Sequence, residues 1–479
     1  MAGLVAAHEL ERHGHRVEII EAATRVGGRV HTHRFGDEPD APAVELGAMR
    51  IPARHRHTLD WVHRMGLGPE LRPFTTLFSD DNAYLWTGAG PVRVGDAAMP
   101  LRQDFRRELA THHPEAGALS APVTNVGAWL TVVIDAVAPP DLRDALRDDL
   151  RGPLLDLLGR VDLRPHERGA RGERVDLTSL FTEHPELRAA CSGRLNSFLD
   201  DILTETGPEL LRLHGGMDRL PHAVLSRIAG RVHLGRRVTG IAVGRDGVSV
   251  RAHARSGHFV HHADFAVCTL PFPTLRRMPL VGLDADKLAV LDEVDYCPAT
   301  KVAFHCREPF WRAHGIEGGA SFTGGRIRQT YYPPADAPPE RGAALLASYT
   351  IGAEATRLGL LPPRLRHRLV LEELSVFHPE LRLPAMVLGA VSTAWGSGAP
   401  AQAGCTTRWG MSPDACETER ARAARPVHRL FFAGEHCSTA PAWIEGAIES
   451  ALAAVDDLVR HRSCRRTSAP RQDTPGGSR

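Results

Sequence analysis

Lysine is nearly missing from this chain of 479 residues: Lys287 and Lys301 are the only two among 58 basic side chains. The simplest cause is a coding bias toward arginine, so a lysine that persists marks a place where a compact amine with a movable pKa is useful. The eight cysteines, at 191, 268, 297, 306, 405, 416, 437 and 464, form neither a CxxC pair nor a Cys/His ligand spacing. That argues against a disulfide framework and a structural zinc site; no metal is expected, and a reducing, cytoplasmic setting is the default. An excess of either charge is lacking too: 58 basic against 57 acidic residues leave +1, which excludes a globally basic nucleic-acid binder. No stretch of about 18 apolar residues offers a membrane span. The first residues show no basic region leading into a short apolar core of the secretory kind.

What is present, at 43% apolar and 24% charged, suits two or three packed domains. Residues Ala2 to His13 predict an amphipathic helix, with Leu4, Val5 and Leu10 on one side, Glu9, Glu11 and Arg12 on the other, and Gly14 as the stop. A β-branched strand, Arg16 to Ile20, follows and ends in Glu21, 18 residues after Gly3. In a dinucleotide-binding βαβ unit the last glycine of GxGxxG opens the helix, and an acid about 20 residues later takes the ribose hydroxyls. Gly3 and Glu21 fit those two places. The first strand and first two glycines of such a unit would lie upstream of Met1, so the chain is expected to begin inside the motif.

Farther along, helical patterns cover Val126 to Val137, Leu142 to Leu158 and Leu187 to Leu203. Two alternating strands, Val238 to Val243 and Val248 to Ala254, flank Asp246-Gly247 as a hairpin. Asp264 to Leu270 predicts another strand, stopped by Pro271. Residues 461–479 have no apolar period and are expected to be disordered.

Glu21 leads into Ala22-Ala23-Thr24-Arg25-Val26-Gly27-Gly28-Arg29-Val30, and then comes Glu45-Leu46-Gly47-Ala48-Met49-Arg50-Ile51-Pro52. The first string resembles the signature of the flavin amine oxidase superfamily, and the second is similar to its L-amino-acid oxidase branch. Further matches follow in the family's order: Gly215 to Pro221, the strand at Lys301, Gly318 to Pro333, Leu346 to Gly352, and Phe432 to Gly446.

The resemblance implies an α/β fold: a Rossmann-like FAD-binding domain of the glutathione-reductase type, a mixed-sheet substrate domain and a helical insertion. The FAD domain would take 1–50, 214–296 and 426–460, the substrate domain 51–101 and 297–425, and the insertion 102–213. FAD would be held by Gly3, Glu21, Ala22, Arg25, Gly27, Gly28, Arg29, Gly47, Ala48, Met49, Arg50, Val238, Gly434, Glu435, Trp443 and Ile444. Glycines let backbone approach the pyrophosphate, and the helix starting near Trp443 would aim its positive end at charge accumulating in the reduced ring.

By the same resemblance, Arg50 and Tyr349 are the clamp for a substrate carboxylate, a task suited to the guanidinium fork. Lys301 is the lysine that holds a water near the flavin, with Trp443 beside it and Trp395 as a second pocket wall. Lys287, flanked by Asp284 and Asp286, is expected to be a solvated helix charge. Cys405 stands where monoamine oxidases carry a thioether-forming cysteine, which the amino-acid branch usually lacks, so non-covalent FAD is the expectation. The implied reaction is oxidative deamination of an L-amino acid by molecular oxygen, giving the 2-oxo acid, ammonia and hydrogen peroxide. Oxidation of an amine without a carboxylate, or a catalytically silent flavoprotein, are the alternatives, and a homodimer is compatible with the chain.

Overall fold

A computed structural model describes residues 1–467 apart from 113, 115–118, 170–173, 208, 335 and 398–402, and leaves the side chains of 462–467 aside. The described residues pack as two compact units, one of Met1–Val26, Pro221–Glu293 and the described part of 420–479, the other of the described parts of Gly27–Leu220 and Val294–Glu419.

In the first unit the helix Ala2–Arg12 buries Leu4, Val5 and Leu10 together with Ala2, Ala6 and Ala7. The strand Glu18–Ile20 pairs in parallel with Arg231–His233. A second parallel pair joins Ala266–Cys268 to Leu430–Phe432. The expected hairpin is present as Arg237–Val243 antiparallel to Val248–Ala254. A third strand, Gly257–Ala263, extends it; its run of His258, His261 and His262 hides the alternation that marks a strand. The last helix runs Ile444–Thr467, past residue 460 where the ordered part was expected to stop. The rest of the expected tail, 468–479, lies outside the described residues.

Lys287 corrects an expectation. Its relative exposure is 0%. Its Nζ donates to the carbonyls of Arg422 (2.6 Å) and Ala423 (2.8 Å) and stands 4.2 Å from the centroid of the Phe432 ring. The flanking carboxylates that suggested solvent are turned to other cations, Asp284 to Arg425 and Asp286 to Arg422.

The second unit is built on a seven-stranded sheet whose spatial order is Val387–Trp395, Ala299–Cys306, Ala343–Ile351, Arg328–Tyr331, Ala320–Gly324, Tyr84–Thr87 and Gly90–Arg93. Lys301 sits in the strand Ala299–Cys306, in register with Tyr349 on one side and Thr393 on the other. The helical patterns are found, but two of them break. The expected helix from Leu142 to Leu158 divides into Pro140–Leu150 and Pro153–Leu158, because Pro153 has no N–H to continue the ladder and is suited to a first helical turn. The one from Leu187 to Leu203 divides into Pro185–Ala189 and Gly193–Thr206. Ser192 restarts it by accepting the Leu195 N–H at 3.1 Å, the usual work of an N-cap. Leu146, Leu150, Leu158, Phe198 and Ile202 fill one apolar core with the helix Ala121–Val137. Among the described residues no helix is long and apolar enough to cross a membrane.

Candidate active site

In the first unit, Glu21 closes the strand Glu18–Ile20. Its N–H donates to the His233 carbonyl (2.9 Å), its own carbonyl accepts from Arg236 N–H (2.8 Å), and its Oε1 accepts from Ala23 N–H (2.8 Å). Ala22 is half-buried within this turn. Gly3 lies so near the chain after Ala266–Cys268 that an added Cβ would meet Thr269 Oγ1 at 3.1 Å. Val238 pairs with Ala252 just before a bulge. Glu435 is buried, and its Oε2 accepts the Ala442 N–H at 2.9 Å. Ser450 ties down Gly434, accepting its N–H and donating to its carbonyl, both at 2.9 Å. Trp443 is half-buried directly ahead of buried Ile444, where the long helix starts.

The glycine pair falls where the second unit begins. Gly27 and Gly28 have φ of 96° and 58°, a region that side chains disfavour. Arg25 Nη1 donates to the Val26 carbonyl at 3.2 Å. Arg29 Nη1 donates to the Gly404 carbonyl at 2.8 Å, so the expected phosphate ligand has a backbone partner. Gly47 is required by close approach: an ideal Cβ there would lie 2.0 Å from the Arg29 carbonyl oxygen. The contact lets Leu46 and Gly47 donate to the His31 carbonyl at 2.8 and 3.1 Å, and Ala48 to that of Arg29 at 3.0 Å.

Two side chains from the sheet then fasten this segment. Lys301 Nζ donates to the carbonyls of Glu45 (3.2 Å) and Gly47 (2.7 Å) and lies 3.4 Å from Met49 Sδ. Trp395 Nε1 donates to the Leu46 carbonyl at 2.7 Å. Three successive carbonyls are thus held from the sheet, and the chain leaves them for Arg50. Lys301 is only 4% exposed and stands 4.7 Å from the centroid of the Tyr349 ring. Burial, with Arg50 nearby, pushes its amine down to about 7. Burial pushes the Glu45 carboxyl up to about 7, against the Met217 N–H and Thr32 hydroxyl that donate to it.

Arg50 is 8% exposed. Its Nη1 donates to the Tyr331 hydroxyl at 3.1 Å, its Nη2 pairs with Glu205 Oε1, and its guanidinium stands 5.9 Å from the centroid of the Phe74 ring. A cavity of about 230 Å³ borders the same set, with Glu45, Met49, Phe74, Leu213 and Tyr331 in its lining. Cys405 is half-buried in a short strand, Cys405–Thr406, opposite Tyr296–Cys297. Its Sγ lies 4.0 Å from the Cys297 carbonyl.

Sequence reasoning placed Arg50, Tyr349, Lys301 and Trp395 in one site, and the second unit brings all four around residues 45–50. Sequence reading assigns no task to Glu205, nor to Glu45, which opens the Glu45 to Pro52 string, or Tyr331, which falls within Gly318 to Pro333. Glu205 is 155 residues from Arg50 and ends a helix whose pattern shows nothing but burial on one face. No local signal marks it.

In the first unit, a carboxylate at the end of a parallel strand and the start of a long helix after a pinned loop are features that suit a flavin dinucleotide. Comparison with known proteins agrees. Residues 1–459 match the family of flavin containing amine oxidoreductases. The flavin-dependent L-tryptophan oxidase RebO of Lentzea aerocolonigenes is 54% identical over 95% of this chain and 95% of its own length. The L-amino-acid oxidase of Mus musculus is 30% identical over 95% of this chain and 68% of its own. Among solved structures, putrescine oxidase bound to putrescine superposes with a TM-score of 0.64 at 18% identity, covering 96% of this chain and 97% of that one. Cyclohexylamine oxidase from Brevibacterium oxydans superposes with a TM-score of 0.63 at 20% identity, over the same shares. The chain belongs to the flavin containing amine oxidoreductase family, and it is an enzyme whose cofactor is FAD.

Proposed function

We propose that the enzyme oxidatively deaminates an L-amino acid to the 2-oxo acid, with release of ammonia and hydrogen peroxide. The observation that carries this is Arg50, a guanidinium buried to 8% exposure within one set that includes Tyr331, Tyr349 and Lys301. Nothing in the oxidation of a plain amine calls for a buried cation, whereas an α-carboxylate does. The 54% identity to an L-tryptophan oxidase supports the same reading and favours a large aromatic side chain in the substrate.

In this reading Arg50 takes the substrate carboxylate and Tyr349 shares it, which fixes the α-carbon in one orientation. Lys301 and Trp395 keep the backbone ahead of Arg50 in place. With its pKa near 7, the Lys301 amine is able to hold a water and move a proton at neutral pH, as hydrolysis of the imino acid requires. When bound, FAD would supply the two-electron acceptor chemistry that the oxidation needs. Gly27, Gly28, Arg29, Glu21, Val238, Glu435 and Trp443 are the residues we assign to holding it.

A second reading, oxidation of an amine without a carboxylate, draws on Glu205, which already balances the charge of Arg50. One experiment separates the two. Truncating Arg50 alone strands the Glu205 carboxylate in the interior at a cost of about 3–5 kcal/mol, so the variant is the double substitution Arg50→Met with Glu205→Gln. If Arg50 clamps the substrate, kcat/KM for L-tryptophan falls about 30- to 1000-fold, the loss of about 2–4 kcal/mol of charge-assisted binding. The value for tryptamine falls far less. Equal losses on both substrates would return the site to plain amines.

A further inference from the structure

The guanidinium meant for a substrate carboxylate already holds one from the protein itself. Glu205 lies in the last turn of the helix Gly193–Thr206, is 9% exposed, and gives Oε1 to Arg50. Its other oxygen, Oε2, is buried and has no hydrogen-bond partner among the described residues. A structural ion pair that deep normally satisfies both carboxylate oxygens; this one leaves half its acceptor capacity empty. The helix end is also the wrong place for an anion, because the last carbonyls of a helix carry partial negative charge.

One guanidinium compensates one carboxylate. If a substrate carboxylate arrives while Glu205 stays ionised, two like charges share a buried site, an arrangement in which one of the two takes a proton. We propose that Glu205 is an internal stand-in for the substrate carboxylate, holding Arg50 in position until substrate docks and then yielding it while taking up a proton. The proposal rests on the reading of Arg50 as the carboxylate clamp. The balance is simple: ligand carboxylate, one proton and the Arg50–Glu205 ion pair give a new ion pair of Arg50 with the ligand, plus a neutral Glu205. No bond to carbon forms or breaks, and for a ligand without an amine the proton comes from solvent.

The surrounding charges agree with this direction. Glu205 pairs with Arg50, feels Lys301 and Arg328 from the sheet, and acts electrostatically on the hydroxyls of Tyr331 and Tyr349. Asp201 lies one turn back on its own helix, with its carboxyl pushed up by burial to about 6 while accepting the Trp409 indole N–H. Burial raises Glu205 above the usual carboxylate range, and Arg50 is the main group opposing that rise. Moving the charge of Arg50 to another carboxylate removes that opposition. The arrangement also gives selectivity: an amine without a carboxylate offers nothing in exchange for Glu205 and leaves Arg50 paired.

The test uses the holoenzyme and 3-(indol-3-yl)propionate, which has the carboxylate and ring of tryptophan but no amine to oxidise. Calorimetric titration at pH 8 in two buffers of different ionisation enthalpy counts protons, and the flavin absorbance change gives Kd from pH 6 to 9. We expect about one proton taken up per ligand bound, with Kd weakening up to tenfold per pH unit on the alkaline side. In Glu205→Gln the uptake disappears, Kd becomes flat with pH, and binding at pH 8 is at least tenfold tighter than in the unmodified enzyme. Absence of proton uptake in the unmodified enzyme overturns the proposal, and that measurement stands even if the variant fails to fold. Uptake that persists in Glu205→Gln also overturns it, by assigning the proton to the Lys301 and Glu45 pair. Ligand binding that survives intact in Arg50→Met/Glu205→Gln overturns the clamp itself, whatever the proton count.

Discussion

At the scale of single residues, Lys301 and Glu45 have an opposite and testable effect on stability. Lys301 is held down to about 7 by burial and Glu45 is held up to about 7 by the same cause. Between about 7 and 10.5 an unfolded lysine keeps a proton that the folded one has lost, so stability rises with pH across that window. Between about 4.5 and 7 the folded glutamate keeps a proton that the unfolded one has lost, so stability falls with pH there. The two groups titrate as a pair, and together they place a minimum near pH 7. Thermal melts from pH 5 to 10 should show a rising alkaline limb in the enzyme that is shallower by up to about 1.4 kcal/mol per pH unit in Lys301→Met, where the buried amine of Lys287 still contributes above about 8. The same variant should slow reduction or reoxidation of bound flavin in stopped-flow traces. Identical pH dependence and identical half-reactions would leave Lys301 with no more than its carbonyl contacts.

At the scale of elements, the second lysine does what few sequence signals announce. Lys287 Nζ caps the Arg422 and Ala423 carbonyls near the end of the helix Pro413–Ala424, a favourable place for a cation. Burial nevertheless pushes its amine down to about 8. Lys287→Met keeps the stem packed but leaves those carbonyls without their donor, so we expect a loss of about 1–3 kcal/mol, read as a lower midpoint in urea. Lys287→Arg should fare no better, since a bulkier fork enters a fully buried slot. An unchanged midpoint in both would mean that water replaces the amine.

The residue also shows where sequence reading ran out. Asp284 and Asp286 beside Lys287 look like a solvated face because a sequence shows neighbours, while their partners Arg425 and Arg422 come from a segment more than 130 residues away. Elements with a local cause were legible: the helix Ala2–Arg12 from its apolar period, the strand pair around Asp246-Gly247 from its turn, and Arg50 and Lys301 from apolar neighbours within family motifs. The breaks at Pro153 and Ser192 had local causes too, a proline and a capping serine, overridden in the reading by a longer apolar repeat. Glu205 and the carbonyls held by Lys301 had none, because those contacts exist only once the helix and the sheet have packed against residues 45–50.

At the scale of the whole molecule, FAD is a ligand of the folded chain, and how it is attached decides how stability responds to it. A dissociable cofactor that binds only the folded state adds about 2.7 kcal/mol at a free concentration 100-fold above its Kd, so the melting temperature should climb as FAD is added to stripped protein. A flavin joined to the chain through a thioether would make the melt indifferent to added FAD. Cys405 is the residue through which such a bond would run. Its strand pairs in register with Tyr296–Cys297, and its Sγ is directed at the Cys297 carbonyl, 4.0 Å away, which is how a cysteine behaves when it serves as a small core residue. We therefore expect acid precipitation to give a yellow supernatant over a colourless pellet, and Cys405→Ser to retain flavin as the unmodified enzyme does. A yellow pellet that turns colourless only in Cys405→Ser would establish the covalent link, and with it a melt that no longer depends on FAD concentration.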